Sequence, residues 1–153
     1  MRTTRTLTLA LLATTLIGGS ALAEMKPEEQ IQTRQAGYKF MGWNMGKIKA
    51  NLQGEYNAAQ VQAAAAAIAG IANSGMGALY GPGTDKAIGD VKTRVKPELF
   101  TDREGVGEVA RNFIAAANNL NTVAAAGDPA STMDAFGQLG RSCKGCHDKY
   151  RKD

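Results

Sequence analysis

Near its carboxyl end the chain carries the run Cys143-Lys144-Gly145-Cys146-His147, which constrains the fold more than any other stretch. The sequence has two cysteines and one histidine, and all three lie within these five residues. On a helix, positions three and four apart share a face, so the thiols and the imidazole can act on one ligand. Cys-x-x-Cys-His is the attachment pattern of a c-type haem. We therefore predict one covalently attached haem c per chain, with Cys143 and Cys146 as thioethers and His147 as the axial iron ligand.

Three other interpretations of this run compete with haem attachment. A thioredoxin-like redox pair or a disulfide would be expected beside a βαβ unit, and the chain has no credible strand pattern. A structural zinc site takes four ligands, whereas three obvious nitrogen or sulfur ligands are present. The third alternative is a chance occurrence of the pattern. The context favours haem attachment over all three.

Residues 1–23 have the composition of a secretory signal peptide. Arg2 and Arg5 give a positive start, an apolar core interrupted by threonines follows, and Ala21-Leu22-Ala23 supplies the small-residue cleavage pattern. The core is too short for a membrane span, which needs about 20 apolar residues. We expect cleavage to leave residues 24–153 as one domain in the periplasm, because this kind of haem attachment takes place outside the bacterial cytoplasm.

The charge balance and the hydropathy pattern bear on the class of partner. The chain has 18 basic and 14 acidic residues, a formal net charge of +4. This small excess gives no argument for nucleic-acid binding. No later segment is long and apolar enough to cross a membrane. We expect neither nucleic acid nor a membrane as a partner.

The residues after the leader have the spacing of amphipathic helices. Pro27 suits a first helical turn, and the helix that it opens should run to about Asn51. An alanine-rich second helix is expected from about Asn57 to Asn73, with small side chains that let a neighbouring helix approach closely. The inward positions of the first helix step by three and four residues, which predicts packing in a bundle. They are Ile31, Arg34, Tyr38, Met41, Met45, Ile48 and Leu52.

A glycine-rich connection over residues 74–97 separates this pair of helices from a second pair. Thr101 or Asp102 can cap the third helix, which ends at Gly127, and Asp128 caps the fourth. The short link makes the last two helices antiparallel, so the pattern predicts an all-α antiparallel four-helix bundle with a c-type haem bound near one end. The expected inward positions of the fourth helix are Met133, Phe136, Gly140, Cys143, His147 and Tyr150.

Any second axial iron ligand must come from upstream of His147, and no other histidine exists. Met41 or Met45, on the inward stripe, would give a low-spin electron-transfer cytochrome. If Arg34 instead pairs with a haem propionate, Tyr38 comes closest to the distal side. A phenolic cover suits small ligands that need little hydrogen bonding. With no distal histidine or carboxylate evident, no general acid or base is poised to cleave a peroxide, and we expect no enzymatic activity.

Each of these residues also has a structural interpretation. Methionines at helical spacing often fill gaps in a core. Tyr38 can be a core aromatic whose hydroxyl is satisfied elsewhere. Arg34 can pair with Glu29 or Glu98 at the surface, because its fork matches any carboxylate.

Several short sequences accompany the attachment run at the end of the four-helix pattern. They are Arg34-Gln35 followed by Tyr38, Tyr80-Gly81-Pro82-Gly83-Thr84, and Lys96-Pro97-Glu98-Leu99-Phe100. Together with the leader, they resemble the cytochrome c′ family over essentially all of residues 24–153. Tyr38 is similar to the distal tyrosine of one variant of that family.

The resemblance implies a periplasmic homodimer with high-spin, five-coordinate haem, in which His147 is the sole axial ligand. It implies that the open distal side binds nitric oxide or carbon monoxide, with electron transfer as another possible role. Among the remaining site residues, it implies that Arg34 and Gln35 contact the propionate side and that Thr93 and Arg94 border the haem edge. Arg151 would lie on the proximal side near His147.

Two surfaces suggest protein partners. Gly42, Gly46 and Ala50 are spaced by four beside Trp43, which predicts a homodimer through the first and second helices; packing inside the monomer is the alternative. A basic cluster beside the attachment run can dock an acidic periplasmic redox partner, or can simply be a solvated face. Its members are Lys144, Lys149, Arg151 and Lys152.

Overall fold

Four long helices make up most of the protein in the computed structural model, which describes residues 25–153. The leader expected over residues 1–23 lies outside the described residues. The helices are α1 (Pro27–Gln53), α2 (Ala58–Ala72), the short α3 (Glu98–Thr101), α4 (Arg103–Ala126) and α5 (Pro129–Tyr150). The four long ones confirm the predicted all-α four-helix bundle. The single turn of α3 was not predicted.

The sequence signals for helix ends act as expected. The side chains of Asn57, Asp102 and Asp128 cap α2, α4 and α5 by accepting hydrogen bonds from backbone N–H groups in the first turn. Gly127 ends α4 in the left-handed region at φ 75°, a conformation that glycine adopts without a Cβ penalty. The link between α4 and α5 is therefore short, and the two helices pack antiparallel.

The core lies where α2 packs against both α1 and α4, and where α4 packs against α5. Ala64 and Ala65 are fully buried, so their small side chains let the backbones of neighbouring helices approach closely. The largest fully buried apolar side chains of this core are Ile48, Val61, Ile68, Leu120 and Leu139. The pair that would close the ring of helices, α1 with α5, packs least closely of the neighbouring pairs.

The buried face of α5 differs from the predicted stripe. Met133 was expected to point inward but is 46% exposed, whereas Ala135 and Leu139 are buried. Thr132, Ala135 and Leu139 are buried one residue before the predicted Met133, Phe136 and Gly140, whereas Tyr150 is buried as predicted. With this rotation, Cys143 packs against the core and His147 is exposed.

The long connection follows the prediction that its glycines allow little helix. A 3₁₀ turn covers Met76–Leu79, and the rest is irregular until α3. Its last part pairs with the end of α5: Lys96 N donates to Tyr150 O at 2.8 Å, and Lys152 N donates to Arg94 O at 2.7 Å. This pairing holds the connection beside the attachment run.

None of the described helices combines the length and the apolarity that a membrane crossing requires.

Candidate functional site

The attachment run occupies the last two turns of α5, where its three chemical groups lie close together. Cys143 and Cys146 are both free thiols and half-buried, and His147 is exposed. An open cavity of about 400 Å³ borders Cys143 and His147, with Lys96 and Arg151 among its other lining residues. Within residues 25–153 no cluster of His, Cys, Asp and Glu side chains converges to hold a bare metal ion. The donor set fits a haem c better than a zinc ion.

The surroundings of His147 favour the neutral imidazole, which is the form that ligates a metal. Burial lowers the pKa of His147, and the positive charges of Arg151 and Arg94 lower it further. Arg151 Nη1 lies 3.3 Å from His147 Nδ1, while Nε2 has no hydrogen-bond partner among the described residues. Arg94 and Arg151 both lie close enough to His147 to influence its pKa, whereas the family resemblance implied a position near His147 only for Arg151 and the haem edge for Arg94.

The two cysteines are held as thiols rather than thiolates. Burial raises the pKa of Cys143 and of Cys146, and the nearby Cys143 sulfur raises that of Cys146 further. The predicted basic cluster around them is partly neutralised. Lys144 pairs with Asp148, and Lys149 Nζ lies 3.7 Å from Asp102. The cluster therefore presents less net charge to a partner than its four cations suggest.

Arg34 is only 2% exposed, and its guanidinium is fixed by the connection. Nη1 donates to Leu79 O and to Thr84 Oγ1, each at 2.9 Å. Nη2 donates to Thr84 O at 2.7 Å and to Thr93 Oγ1 at 3.0 Å. All four acceptors are neutral, and no ion pair in the described part of the chain involves Arg34. Burial lowers the pKa of this cation. Its hydrogen bonds are satisfied, but its charge has no carboxylate partner.

Gln35 and Thr93 lie beside Arg34 in the same part of the site. Gln35 Nε2 donates to Lys92 O at 2.6 Å, and Thr93 Oγ1 accepts from Arg34. Both side chains therefore tie α1 to the final part of the connection. The structure brings Arg34, Gln35 and Thr93 together, which the sequence predicted only through the family resemblance.

Tyr38 departs from its neighbours on the inward stripe, because it is 42% exposed where Met41 is 6% exposed. The Tyr80 hydroxyl donates to the Tyr38 hydroxyl at 3.2 Å. Partial burial and the adjacent Tyr80 raise the pKa of Tyr38 far above its ordinary range, so the phenol stays protonated. The neighbouring Cys146 contributes to the raised pKa of both tyrosines.

The two methionines considered as axial ligands lie in the core. Met41 belongs to the buried cluster that contains Ile48 and Val61, and Met45 packs against that cluster. This placement supports gap filling rather than ligation. Tyr38, by contrast, is exposed and lies outside that cluster.

Tyr80 is a site residue that sequence reasoning missed, because the sequence placed it only in the glycine-rich connection. The available signal was an aromatic side chain with a polar tip in a glycine-rich segment next to Gly81. A tyrosine needs a hydrogen-bond partner when it is partly buried. The identity of that partner depends on how the connection folds back, which local sequence does not specify.

Comparison with known proteins gives consistent results along the chain. The model of the family described as Cytochrome C′ matches residues 29–151. The cytochrome c′ of Allochromatium vinosum is 66% identical over 141 residues, which cover 92% of this chain and 92% of that protein. A solved cytochrome c′ described as having an unusual ligand-controlled dimer dissociation is 69% identical, with a TM-score of 0.85 over 86% of this chain and 100% of that one.

A more distant structural neighbour is described with a bound gas. The nitric oxide complex of a variant cytochrome c′ from Alcaligenes xylosoxidans is 31% identical to this chain. Its TM-score is 0.74, and the match covers 84% of this chain and 98% of that one. Another variant of the same protein was solved with carbon monoxide bound.

Proposed function

This chain belongs to the cytochrome c′ family of haem proteins, and we propose that it binds nitric oxide or carbon monoxide at a five-coordinate, high-spin haem c. When bound, the haem supplies an iron position at which a diatomic gas can be held. The chain supplies two thiols for attachment, Cys143 and Cys146, and one axial ligand, His147. A gas-binding role agrees with the nitric oxide and carbon monoxide complexes of the Alcaligenes xylosoxidans relative.

The observation that carries this proposal is the exposed tyrosine on the stripe of α1 that also carries the buried Arg34 and Met41. That side chain is Tyr38, whose phenol is protonated at neutral pH as in an ordinary tyrosine and whose surroundings raise its pKa further. A protonated phenol is a poor iron ligand, whereas a tyrosinate can ligate haem iron. The two methionines of the same stripe are packed in the core. Tyr38 therefore covers the distal side as the family's tyrosine variant does, without occupying the iron.

We further propose that the basic and polar groups around the attachment run hold the haem periphery. Arg34 is a buried cation without a carboxylate partner, and a haem propionate would supply the missing negative charge. Gln35 and Thr93 lie on the same side. Arg94 and Arg151, which flank His147, would border the proximal edge.

Rates of carbon monoxide association with the ferrous holoprotein test the role of Tyr38. Replacing Tyr38 by Ala removes the cover, so association should be faster than in the unaltered protein. Tyr56→Phe is the control, because Tyr56 bonds Thr132 Oγ1 in a different part of the bundle. Its rate should match that of the unaltered protein. Failure of the unaltered protein to bind carbon monoxide would reject the proposal, and an unchanged rate in Tyr38→Ala would reject the covering role.

We also propose a homodimer formed through α1 and α2. The exposed face of α1 carries Trp43, which is 57% exposed, and Phe40, whose ring centroid lies 5.4 Å from that of Trp43. Cβ atoms added at Gly42 and Gly46 would meet nothing within 4 Å, so a second helix can approach this face closely. Exposed aromatic side chains of this kind often anchor interfaces.

Because Tyr38 and the aromatic pair share α1, displacement of Tyr38 by a gas can weaken this dimer. A relative described as having ligand-controlled dimer dissociation supports the coupling. Sedimentation with and without carbon monoxide tests it, and the gas should shift the mass towards the monomer. Identical masses at every dilution would contradict the coupling. Trp43→Arg should give a monomer under both conditions.

We also propose that the chain has a cleaved export leader and is located in the periplasm. Residues 1–23 should direct export and be removed, leaving a periplasmic protein. Amino-terminal sequencing of the haem-loaded protein from a periplasmic fraction should begin at or close to Glu24. Retention of Met1 in haem-loaded protein would contradict the expected processing.

A further inference from the structure

Through Tyr80, the long connection between α2 and α3 contacts Tyr38, the proposed distal cover. Tyr80 lies 42 positions after Tyr38 in the sequence, and its hydroxyl is 3.2 Å from the Tyr38 hydroxyl. The bond therefore joins a side chain of the connection to the side chain proposed as the distal cover.

Tyr80 is itself held by α1. The Arg34 guanidinium carbon lies 4.4 Å from the centroid of the Tyr80 ring, within the range of a cation–π contact. The same guanidinium donates to Leu79 O before Tyr80 and to Thr84 after it. Arg34 thus fixes the ring from one side and the backbone from both ends.

A second contact fixes the backbone immediately after Tyr80. Gly81 N donates to Gln30 Oε1 at 3.0 Å, and Gln30 belongs to α1. A Cβ added at Gly81 would lie 2.7 Å from the same Gln30 oxygen, so a larger residue could not approach α1 this closely without displacing that side chain. The position of the Tyr80 hydroxyl is therefore determined by α1 rather than by the connection alone.

We propose that Tyr80 is a positioning residue for gas access: its hydroxyl holds Tyr38 in the covering position, and their hydrogen bond must break before a gas reaches the distal side. This inference rests on the proposed function, in which Tyr38 is the cover. Tyr80 does not touch the gas or the iron in this account, and it acts through Tyr38.

Tyr80→Phe removes the hydroxyl and keeps the ring that contacts Arg34. The variant should bind carbon monoxide about fivefold faster, the change expected when one neutral hydrogen bond no longer opposes opening. Tyr56→Phe is the matched control, because it deletes one hydroxyl–hydroxyl bond, to Thr132, elsewhere in the bundle. Its rate should equal that of the unaltered protein.

A double-mutant cycle separates action through Tyr38 from a general loosening. In a Tyr38→Phe background the hydroxyl pair is already broken, so adding Tyr80→Phe should change the rate no further. The same cycle can be measured without a gas, from guanidinium unfolding midpoints of the ferric, unliganded holoprotein. There the midpoint loss in the double variant should be smaller than the sum of the two single losses.

The outcomes distinguish this inference from the proposed function. If the unaltered protein does not bind carbon monoxide, the proposed function fails. If it binds the gas and Tyr38→Ala is faster, but Tyr80→Phe behaves like Tyr56→Phe, the role of Tyr80 is overturned. An acceleration by Tyr80→Phe that persists in the Tyr38→Phe background, or additive midpoint losses, would overturn it as well.

Discussion

The Tyr150 hydroxyl donates a 2.6 Å hydrogen bond to Asp102 Oδ2, and this bond joins the end of α5 to the start of α4. Asp102 also caps α4 by accepting from Gly105 N at 3.0 Å. Tyr150 O accepts from Lys96 N at 2.8 Å, so the same residue also holds the final part of the connection. Since His147 lies one turn before Tyr150, this junction fixes the end of the helix that carries the proposed axial ligand.

The junction predicts a specific dependence of stability on pH. The Tyr150 hydrogen bond is the main cause of the lowered pKa of Asp102, and the Gly105 N–H and Lys149 add to it. A lowered pKa in the folded state gives stability that is complete above the unfolded-state pKa of about 3.9 and is lost as the pH falls through the folded-state value. Tyr150→Phe should therefore be less stable than the unaltered protein at pH 7, and the difference should shrink as the pH falls below about 4.

Guanidinium unfolding of the holoprotein between pH 7 and pH 2 measures this convergence. Tyr56→Phe is the control, because its partner Thr132 does not titrate in this range. Its loss of stability should be independent of pH. Parallel curves for Tyr150→Phe and the unaltered protein would contradict the assigned cause of the shift.

We expect alanine substitutions at Gly105 and Gly107, which both lie in α4, to have opposite effects on the free energy of unfolding. A Cβ at Gly105 would lie 2.5 Å from the Tyr150 hydroxyl, and that atom cannot move without breaking its bond to Asp102. Gly105→Ala should lose about 1–3 kcal/mol of unfolding free energy, as overpacked sites do. At Gly107 the Cβ would meet only the end of the exposed Arg111 side chain, at 3.2 Å. Gly107→Ala should gain up to about 1 kcal/mol from helix propensity. Equal effects in thermal denaturation would show that the junction is not rigid.

Because Arg34 is buried, we expect its replacement by a neutral polar residue to lower the stability of the protein strongly. Arg34→Gln leaves Leu79 O, Thr84 and Thr93 without their charged donor and should lower the free energy of unfolding by about 3 kcal/mol. Limited proteolysis within residues 74–97 should become faster. Arg111→Gln, on the exposed side of α4, should change stability by less than about 0.5 kcal/mol. Similar proteolysis rates in the two variants would contradict the clamping role of Arg34.

The positions of Met41 and Met45 predict that neither methionine is a second axial iron ligand opposite His147. Each methionine packs in or against the core, so replacement by leucine should cost less than about 1.5 kcal/mol. The Soret band should keep its position in both variants and in both oxidation states. A shifted band in either variant would favour methionine as the second axial ligand and an electron-transfer role.

Local sequence signals were enough to predict the main elements of the fold. Asp102, Asp128 and Gly127 identified the ends of the last two helices, because capping chemistry depends on a few adjacent residues. The inward stripe of α1 was predicted in part, because Tyr38 is exposed and Asn44 and Asn51 are buried although they were not on the predicted stripe. Its two polar members, Arg34 and Tyr38, were recognised as exceptions that needed partners.

The hydrogen-bond partners that the tertiary fold gives to Arg34 and Tyr38 could not be predicted from the neighbouring sequence. The neutral acceptors of Arg34 and the Tyr80 partner of Tyr38 depend on the path of the connection, whose closure couples residues 42 to 59 positions apart. The face of α5 was misjudged for a related reason. Helical spacing gives the period of the buried positions but does not say which face of the helix they occupy. The structure buries Ala135 and Leu139 and leaves Met133 exposed.

The absorption spectrum of the reduced holoprotein, before and after carbon monoxide is added, tests the open distal side most directly. A protonated Tyr38 that covers but does not ligate predicts a high-spin, five-coordinate spectrum that converts to a carbon monoxide adduct. A low-spin, six-coordinate spectrum in both oxidation states, unchanged by the gas, would contradict it.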